Sequence, residues 1–184
     1  MILPIRAFGD PVLRKKCHDI TPDYPELKKF IEDMYETMYE SNGVGLAAPQ
    51  VGRDIRLFII DTDAFNDKKA EGIKKTFINA QILKETGKEW EFEEGCLSIP
   101  KIRENVSRCP DLVIKYQDEN FQWFEEAYSG MEARVIQHEY DHIEGIMFVD
   151  HLSAFKKQLI KGKLQNISKG KIEVDYKMKF YLKK

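Results

Sequence analysis

The sequence predicts an α+β fold: a single domain of mostly antiparallel sheets around a central helix. Short β-branched segments indicate strands, a helix-start signal precedes one long helical pattern, and glycine and proline fall singly between these segments. At 184 residues the chain is the size of one domain that buries a substantial core. We therefore predict one domain over residues 1–184, with a basic C-terminal helix and tail from about residue 151.

The first predicted helix covers residues 25–39. Pro25 suits a first helical turn, and Gly43 follows the end of the pattern. Apolar residues recur at the spacing of one helix face; they are Leu27, Phe30, Ile31, Met34 and Met38. The segment is therefore expected to form an amphipathic helix.

Four short segments predict strands. Residues 55–60 and 76–82 are rich in β-branched and aromatic residues and flank a polar connection, 61–75. Residues 112–116 and 121–124 lie on either side of a short polar turn, which is typical of a hairpin.

The central helix is predicted over residues 130–144. Ser129 and Glu132 match a capping box, in which two side chains satisfy free backbone N–H groups at a helix start, and Gly145 marks the end. A further helix is predicted at 153–165. Alternating apolar residues then predict a terminal strand; they are Ile172, Val174 and Tyr176.

Composition argues against a membrane or secreted protein. No apolar run approaches the roughly 20 residues needed to cross a bilayer, and the N-terminus lacks the features of a signal peptide. Cys17, Cys96 and Cys109 show no close pairing, which suits a reducing compartment. We expect a cytoplasmic protein with no membrane contact.

The net charge of −2 conceals an uneven distribution. From residue 151 onward the chain carries ten lysines against Glu173 and Asp175, so the preceding part is acidic. Two interpretations remain open for the basic end: a solvated helix face with a frayed tail, or a contact with a polyanion such as RNA.

A metal-site pattern lies within the central helix. His138 and His142 stand four residues apart, so their rings project from one helix face and can bind one ion. Glu139 would lie beside that ion, where a carboxylate can take a proton from water and later return it to a leaving nitrogen. A surface helix with two histidines by coincidence is the alternative.

A catalytic site of this type has about three protein ligands and one open position, so a third ligand is needed. The longer metalloprotease pattern requires a histidine where this chain has Phe148. Glu144 lies on a different helix face from His142. The setting of Cys96 in the run EGCLS, residues 94–98, favours a thiolate ligand over a buried structural thiol.

Residues 43–52, GVGLAAPQVG, combine three glycines with one amide side chain. Small residues permit a close backbone approach, and a tightly packed turn after a helix is the alternative. The spacing Gly43-x-Gly45-x-x-Ala48 formally fits a dinucleotide fingerprint, but that motif must follow a strand. A phosphate-binding P-loop is excluded by the missing Gly-Lys-Ser/Thr.

Three blocks in this order resemble the peptide deformylase family, metal-dependent enzymes that remove the formyl group from N-terminal formylmethionine of new polypeptides. The blocks are 43–50 (GVGLAAPQ), 94–98 (EGCLS) and 137–142 (QHEYDH). The resemblance begins at Gly9, in GDPVLR, and continues to the helix after His151.

The resemblance implies a role for each site residue. Cys96, His138 and His142 would bind the metal, and Glu139 would be the general acid and base. Two donors would hold the oxygen of the tetrahedral intermediate: the Gln50 side chain and the Leu97 backbone N–H. Such a donor is worth roughly 3–4 kcal/mol when it meets charge that develops only in the transition state.

The resemblance also implies one divalent cation, with iron(II) as the native ion. Because a thiolate softens the ligand set, zinc, nickel and cobalt are further candidates that the sequence does not separate.

The expected substrates are N-formylmethionyl peptides that lie extended beside Val44, Gly45 and Gly95 and pair through the main chain. Arg103 resembles a family position near the exit path of the peptide. Two other functions are kept: a metallopeptidase that cleaves internal bonds and a non-catalytic metal-binding domain.

Further expectations concern charged residues. Asp141 is expected to orient a metal ligand, to pair with Arg134 or to be a solvated helix charge. Arg134 and Met131 precede His138 on the helix, near the methionine pocket. His18 and His151 are assigned to structure. Four lysines are proposed to contact ribosomal RNA; they are Lys156, Lys157, Lys161 and Lys163.

Overall fold

The computed structural model describes residues 1–63 and 72–181, which form the predicted α+β architecture. The strands of this part are β1 (Ile5–Arg6), β2 (Gly45–Ala47), β3 (Leu57–Asp61), β4 (Lys74–Thr86), β5 (Trp90–Cys96), β6 (Ile99–Arg108), β7 (Asp111–Gln117), β8 (Trp123–Ser129) and β9 (Met178–Lys179). Its α-helices are α1 (Leu27–Glu40), α2 (Gly130–Ile143) and α3 (Ala154–Ser168).

An antiparallel sheet in the order β2-β3-β4-β7-β8 forms the centre. The strands predicted at 55–60 and 76–82 pair directly, with Leu57 opposite Ile78. β7 and β8 form the predicted hairpin. Of the predicted connection at 61–75, residues 64–71 lie outside the described part.

The central sheet lies between two helices. Because side chains alternate along a strand, Phe58 and Ile60 of β3 face the core formed with α2, whereas Leu57 and Ile59 face the core formed with α1. The apolar face predicted for residues 25–39 therefore covers one side of the sheet, and α2 covers the other.

A second hairpin, β5–β6, lies apart from the central sheet, and β1 pairs in parallel with β9. A third core joins β6 to α3 through residues that include Ile102, Val106, Phe148 and Ile160. The strands β1 and β9, far apart in the sequence, therefore meet beside the hairpin.

The helix boundaries follow the predicted ones closely. α1 begins at Leu27 rather than Pro25, because Glu26 has a left-handed backbone with φ of 54°. α2 ends just before Gly145, whose φ is 76°. α3 is capped by the Ser153 side chain, which accepts from the Lys156 N–H, and it runs past residue 165 to Ser168.

Two local predictions are wrong. Ser129 precedes α2 but makes no capping hydrogen bond, because it is the extended last residue of β8, paired with Asp111. The terminal strand is β9, not residues 172–176. Ile172, Val174 and Tyr176 do alternate with exposed neighbours as half-buried residues, but they pair with no strand in the described chain.

Within residues 1–63 and 72–181, none of the helices has both the length and the apolar character that crossing a membrane requires.

Candidate metal centre and active site

Three side chains of the kinds that bind metals converge between α2 and the β5–β6 hairpin. One ligand atom each from Cys96, His138 and His142 lie within 4.8 Å of one another. The Cys96 Sγ is 3.3 Å from the His142 Nε2. The two imidazole rings, four residues apart on α2, have centroids 5.1 Å apart. The fold therefore brings together the three predicted ligands.

Cys96 ends β5, immediately before the hairpin tip formed by Leu97 and Ser98. The strand register jumps at this point, because Gly95 pairs with Arg103 whereas Cys96 pairs with Ile99. Such an irregularity re-aims the side chains beside it, here at the thiol that faces α2.

Electrostatics favour a thiolate at Cys96. Burial alone would raise the pKa of the thiol, but the neighbouring His142 and His138 rings lower it to about 5. Burial likewise opposes the charge on His138, yet hydrogen bonds to Cys96 and Glu94 raise its pKa well above the usual value. A proton on the His138 ring thus balances the negative charge of the Cys96 thiolate. A cation held by the same three residues would supply the positive charge in place of that proton.

Glu139 lies beside this trio in a closed environment. Its side chain is buried, and its Oε2 finds no hydrogen-bond partner among the described residues. Burial raises the pKa of this carboxyl to about 7, although His138 and His142 lower it. A bound cation nearby would lower it further. The group is therefore suited to exchanging a proton near neutral pH.

Gly45 explains part of the small-residue run. A Cβ added at Gly45 would lie 2.5 Å from the Oε1 of Glu139, closer than real Cβ contacts. Any larger residue there would displace the carboxylate. The glycine thus permits β2 to pass directly over Glu139, which is a requirement of the site and not of a turn.

Gln50 is buried and held in one orientation. The Ala47 N–H donates to its Oε1 at 2.8 Å, so its Nε2 points toward the hairpin. That nitrogen lies 3.3 Å from the Ser98 Oγ and 3.5 Å from the Cys96 Sγ. The predicted donor therefore lies beside the predicted ligand, and Ser98 is a partner that the sequence analysis missed.

Glu94 is a residue of the site whose role the sequence did not predict. It accepts from Arg108 at 2.7 and 3.0 Å and from Arg134 at 2.9 Å, and its Oε2 lies 3.0 Å from the His138 Nδ1. A carboxylate in this position fixes the orientation of a ligand imidazole. Its place beside Cys96 in the EGCLS block was the available signal.

Asp141 pairs with Arg108 at 2.8 Å and with His151 at 2.7 Å. The expected Asp141–Arg134 pair is therefore wrong, because Arg134 points to Glu94 and stacks over Trp90 with its guanidinium carbon 4.4 Å from the ring centroid. Asp141 is also not a solvated charge, since its side chain is 14% exposed.

A cavity of about 540 Å³ opens beside the trio. All four residues predicted to contact the substrate line it: Val44, Gly45, Gly95 and Arg103. Leu97 lines it too, and Met131, Arg134 and Val135 of α2 form part of the wall. Three residues near the C-terminus, Val174, Asp175 and Tyr176, complete the lining in a way that the sequence did not indicate.

The donor set fits a divalent cation. One thiolate and two imidazoles suit zinc, iron(II), nickel or cobalt, and three protein ligands beside a cavity are typical of a catalytic rather than a structural site. No fourth ligand joins the trio within the described residues. With a buried, proton-exchanging carboxylate next to the trio, fold and site together define the class of metal-dependent hydrolases.

Comparison with known proteins gives the family. The model of the polypeptide deformylase family matches residues 2–158. A peptide deformylase of Flavobacterium psychrophilum is 59% identical over the full length of both chains, and one of Christiangramia forsetii is 59% identical over 98% of this chain and 96% of its own. The chain belongs to the polypeptide deformylase family.

Solved structures agree with this assignment. A peptide deformylase from Legionella pneumophila matches with a TM-score of 0.81 and 38% identity, over 93% of this chain and 98% of its own. One from Thermus thermophilus matches with a TM-score of 0.83 and 37% identity, over 92% and 99% of the two chains. The predicted family, α+β fold and hydrolase class are confirmed.

Proposed function

We propose that the chain hydrolyses the N-formyl group of N-terminal formylmethionine on newly made polypeptides and releases formate. Family membership supports the reaction. The observation that carries it at the level of residues is the convergence of Cys96 with two histidines of α2 beside a buried glutamate. We infer that the chain acts as one catalytic domain.

In this proposal Cys96, His138 and His142 hold one divalent cation. When bound, such an ion polarises the scissile carbonyl and makes water acidic enough to act as a nucleophile near neutral pH. Glu94 steadies His138 through the Nδ1 contact, while Arg108 and Arg134 keep the glutamate charged and in place.

Glu139 moves the proton. It takes one from the attacking water as the oxygen bonds to the formyl carbon, and it gives the proton to the departing amine as the carbon–nitrogen bond breaks. The products are formate and a free methionine N-terminus. The unpartnered Oε2 and the pKa of about 7 support both halves of this exchange.

Gln50 and the backbone N–H of Leu97 stabilise the negative oxygen that forms during the reaction. Support comes from the fixed Gln50 amide, whose Nε2 faces the thiolate, and from the place of Leu97 in the cavity wall. A donor that is already oriented needs no reorganisation when charge develops.

The peptide lies in the cavity beside Val44, Gly45 and Gly95, with Arg103 further along its path. Arg103 pairs with Glu93 at 2.9 Å, and the arginine side chain is 60% exposed, so it can contact a passing chain. Main-chain pairing makes affinity largely independent of the residues after methionine.

Release of formate from a formylmethionyl peptide, with and without a chelator, tests the proposal. We expect formate release that the chelator stops and that added divalent ion restores. A blocked internal peptide is the control. Its cleavage would favour a metallopeptidase, and metal binding without hydrolysis of either substrate would favour a non-catalytic domain.

For the native ion we propose iron(II). Metal analysis of protein purified without oxygen should find iron in near-stoichiometric amount, and activity should fall on exposure to air. Zinc in that preparation, with activity insensitive to air, would contradict the assignment.

We also propose that α3 contacts ribosomal RNA. Lys157, Lys161 and Lys163 are exposed on this helix, whereas Lys156 is half-buried with its Nζ 3.5 Å from Glu104. Changing the three exposed lysines to alanine should weaken ribosome binding and flatten its salt dependence. The matched control replaces three exposed lysines elsewhere: Lys28, Lys84 and Lys88. Equal ribosome binding by both triple variants would contradict the RNA contact and would favour the interpretation that these lysines form a solvated helix face.

A further inference from the structure

We propose that Tyr176 is a positioning residue of the active site, holding the tip of the β5–β6 hairpin through the Leu97 carbonyl. The inference rests on the proposed function, since it assigns a part in deformylation to a residue near the C-terminus. It concerns a segment that lies beyond residues 2–158, the part matched by the family model.

The C-terminal segment, residues 171–181, returns to the site after α3 ends. β9 anchors it by pairing with β1, with Ile5 opposite Met178, and Ile172 packs against the core that contains β6. Between these anchors, Val174, Asp175 and Tyr176 line the catalytic cavity. The alternating residues of this segment therefore pack against the rest of the molecule without forming a strand. Ile172 contacts the core, and Val174 and Tyr176 line the cavity.

Tyr176 makes one defined contact with the catalytic hairpin. Its hydroxyl donates to the Leu97 backbone oxygen at 2.6 Å. Burial raises the pKa of this tyrosine, so the hydroxyl remains a donor through the neutral range. Leu97 directly follows the ligand Cys96, and its own N–H is the proposed donor to the reacting oxygen.

The hairpin tip is held from three distant parts of the chain. The Phe8 N–H donates to the Ser98 backbone oxygen at 2.8 Å, and the Gln50 Nε2 lies 3.3 Å from the Ser98 side-chain Oγ. Both of these contacts fix Ser98. Tyr176 fixes the carbonyl before it, and holding that carbonyl sets the peptide plane between Leu97 and Ser98. The Leu97 N–H lies in the preceding peptide plane, between Cys96 and Leu97, and the two planes share the Leu97 Cα. Fixing one plane limits the rotation of Leu97, so the aim of its N–H depends on Tyr176 through the Leu97 backbone.

The test replaces Tyr176 with phenylalanine, which removes the hydroxyl and keeps the ring in the cavity wall. We expect kcat for a formylmethionyl peptide to fall about five- to tenfold, the effect of one lost hydrogen bond on a precisely aimed group, with little change in KM. Metal content and the thermal midpoint should stay near the parent values. Tyr181→Phe is the matched control, because Tyr181 lies in the same segment and is 47% exposed.

A second measurement does not depend on activity. Hydrogen exchange in a peptide covering residues 96–99 should be faster in Tyr176→Phe than in the parent and unchanged in Tyr181→Phe. Parent-like kcat and exchange in Tyr176→Phe would overturn the inference, as would a loss of kcat that only follows lost metal or lost fold. If the parent released no formate, the proposed function would fail. With an active parent, unchanged exchange or unchanged kcat in Tyr176→Phe would each contradict the positioning role alone.

Discussion

The two halves of the proposed catalytic site are held in different ways. His138, Glu139 and His142 lie within two turns of α2, so helical geometry alone fixes their spacing. Cys96 and Leu97 lie on a hairpin outside the central sheet. Arg134 of α2 contacts this hairpin at the Glu94 carboxylate and at the Val106 backbone oxygen. The helical half is therefore set by local geometry, whereas the position of the hairpin half depends on contacts with distant parts of the chain.

Glu94 shows how the two halves are joined. It comes from β5, yet its carboxylate contacts Arg134 and His138 of α2 as well as Arg108 of β6. These side chains are almost wholly buried, apart from His138 at 12% exposure. A buried charge network of this kind costs desolvation, and its benefit is one fixed arrangement of hairpin and helix.

Within the helical half, we expect Glu139→Gln to lower kcat the most. The substitution keeps the shape of the side chain but removes proton exchange, so kcat should fall by about 10³ or more. Metal content should remain that of the parent, because Glu139 is not among the three converging ligand atoms. Steady-state kinetics with metal analysis check this. A metal-loaded, active variant would refute the assigned role.

Gln50→Ala removes the donor proposed for the reacting oxygen, which lies on the short 3-10 helix Ala48–Val51. We expect kcat to fall about 10²- to 10³-fold, as for loss of one oxyanion donor. Ser98→Ala, which removes only a partner of the Gln50 amide, should cost much less, below about tenfold. A loss from Gln50→Ala no larger than that from Ser98→Ala, below about tenfold, would contradict the proposed oxyanion role of Gln50.

Gly45→Ala tests whether a change in β2 can displace a residue of α2. The new methyl group would overlap the Glu139 carboxylate and shift it, and a displacement near 1 Å costs about 10² in rate. Gly162→Ala is the control, since nothing lies within 4 Å of a Cβ added there. Parent-like activity of Gly45→Ala would show that the carboxylate moves without consequence.

Glu94→Gln should loosen the link between the halves. Metal affinity should fall about 10- to 100-fold through the freed His138, and the free energy of unfolding by about 3 kcal/mol through the broken charge network. Glu93→Gln is the control, since among the described residues the Glu93 carboxylate pairs with Arg103 alone and both side chains are 60% exposed. Metal titration and urea unfolding separate the two effects.

The same variant should change the dependence of stability on pH. Burial would raise the pKa of Glu94, but hydrogen bonds from His138 and Arg108 hold it well below the usual range. Because the folded pKa is depressed, this stabilisation is present above the ordinary glutamate pKa of about 4.3 and is lost as the pH falls below it. The parent should therefore lose stability more steeply below about pH 5 than Glu94→Gln. Parallel unfolding curves across that range would contradict this account.

Much of the fold could be predicted because the relevant signals are short in range. The apolar face of α1, the alternation in β3 and the polar turn between β7 and β8 each follow from the spacing of side chains. The capping-box prediction was wrong because Ser129 is the last residue of β8 and pairs with Asp111 in the sheet. Local sequence does not reveal that strand pairing competes with helix capping at this residue. The predicted strand at 172–176 had the right alternation, but none of the strands in residues 1–63 and 72–181 pairs with it.

The amino-acid sequence was enough to predict the helical half of the site, with two imidazoles at i and i+4 and a carboxylate between them, and its three blocks were specific enough to indicate the family. Only the tertiary structure decided which groups Glu94 and Asp141 contact, why Gly45 has no side chain, and that Tyr176 reaches Leu97. The reason is physical. Helical spacing is set by neighbouring residues, whereas contacts between residues 79 positions apart depend on how whole elements pack.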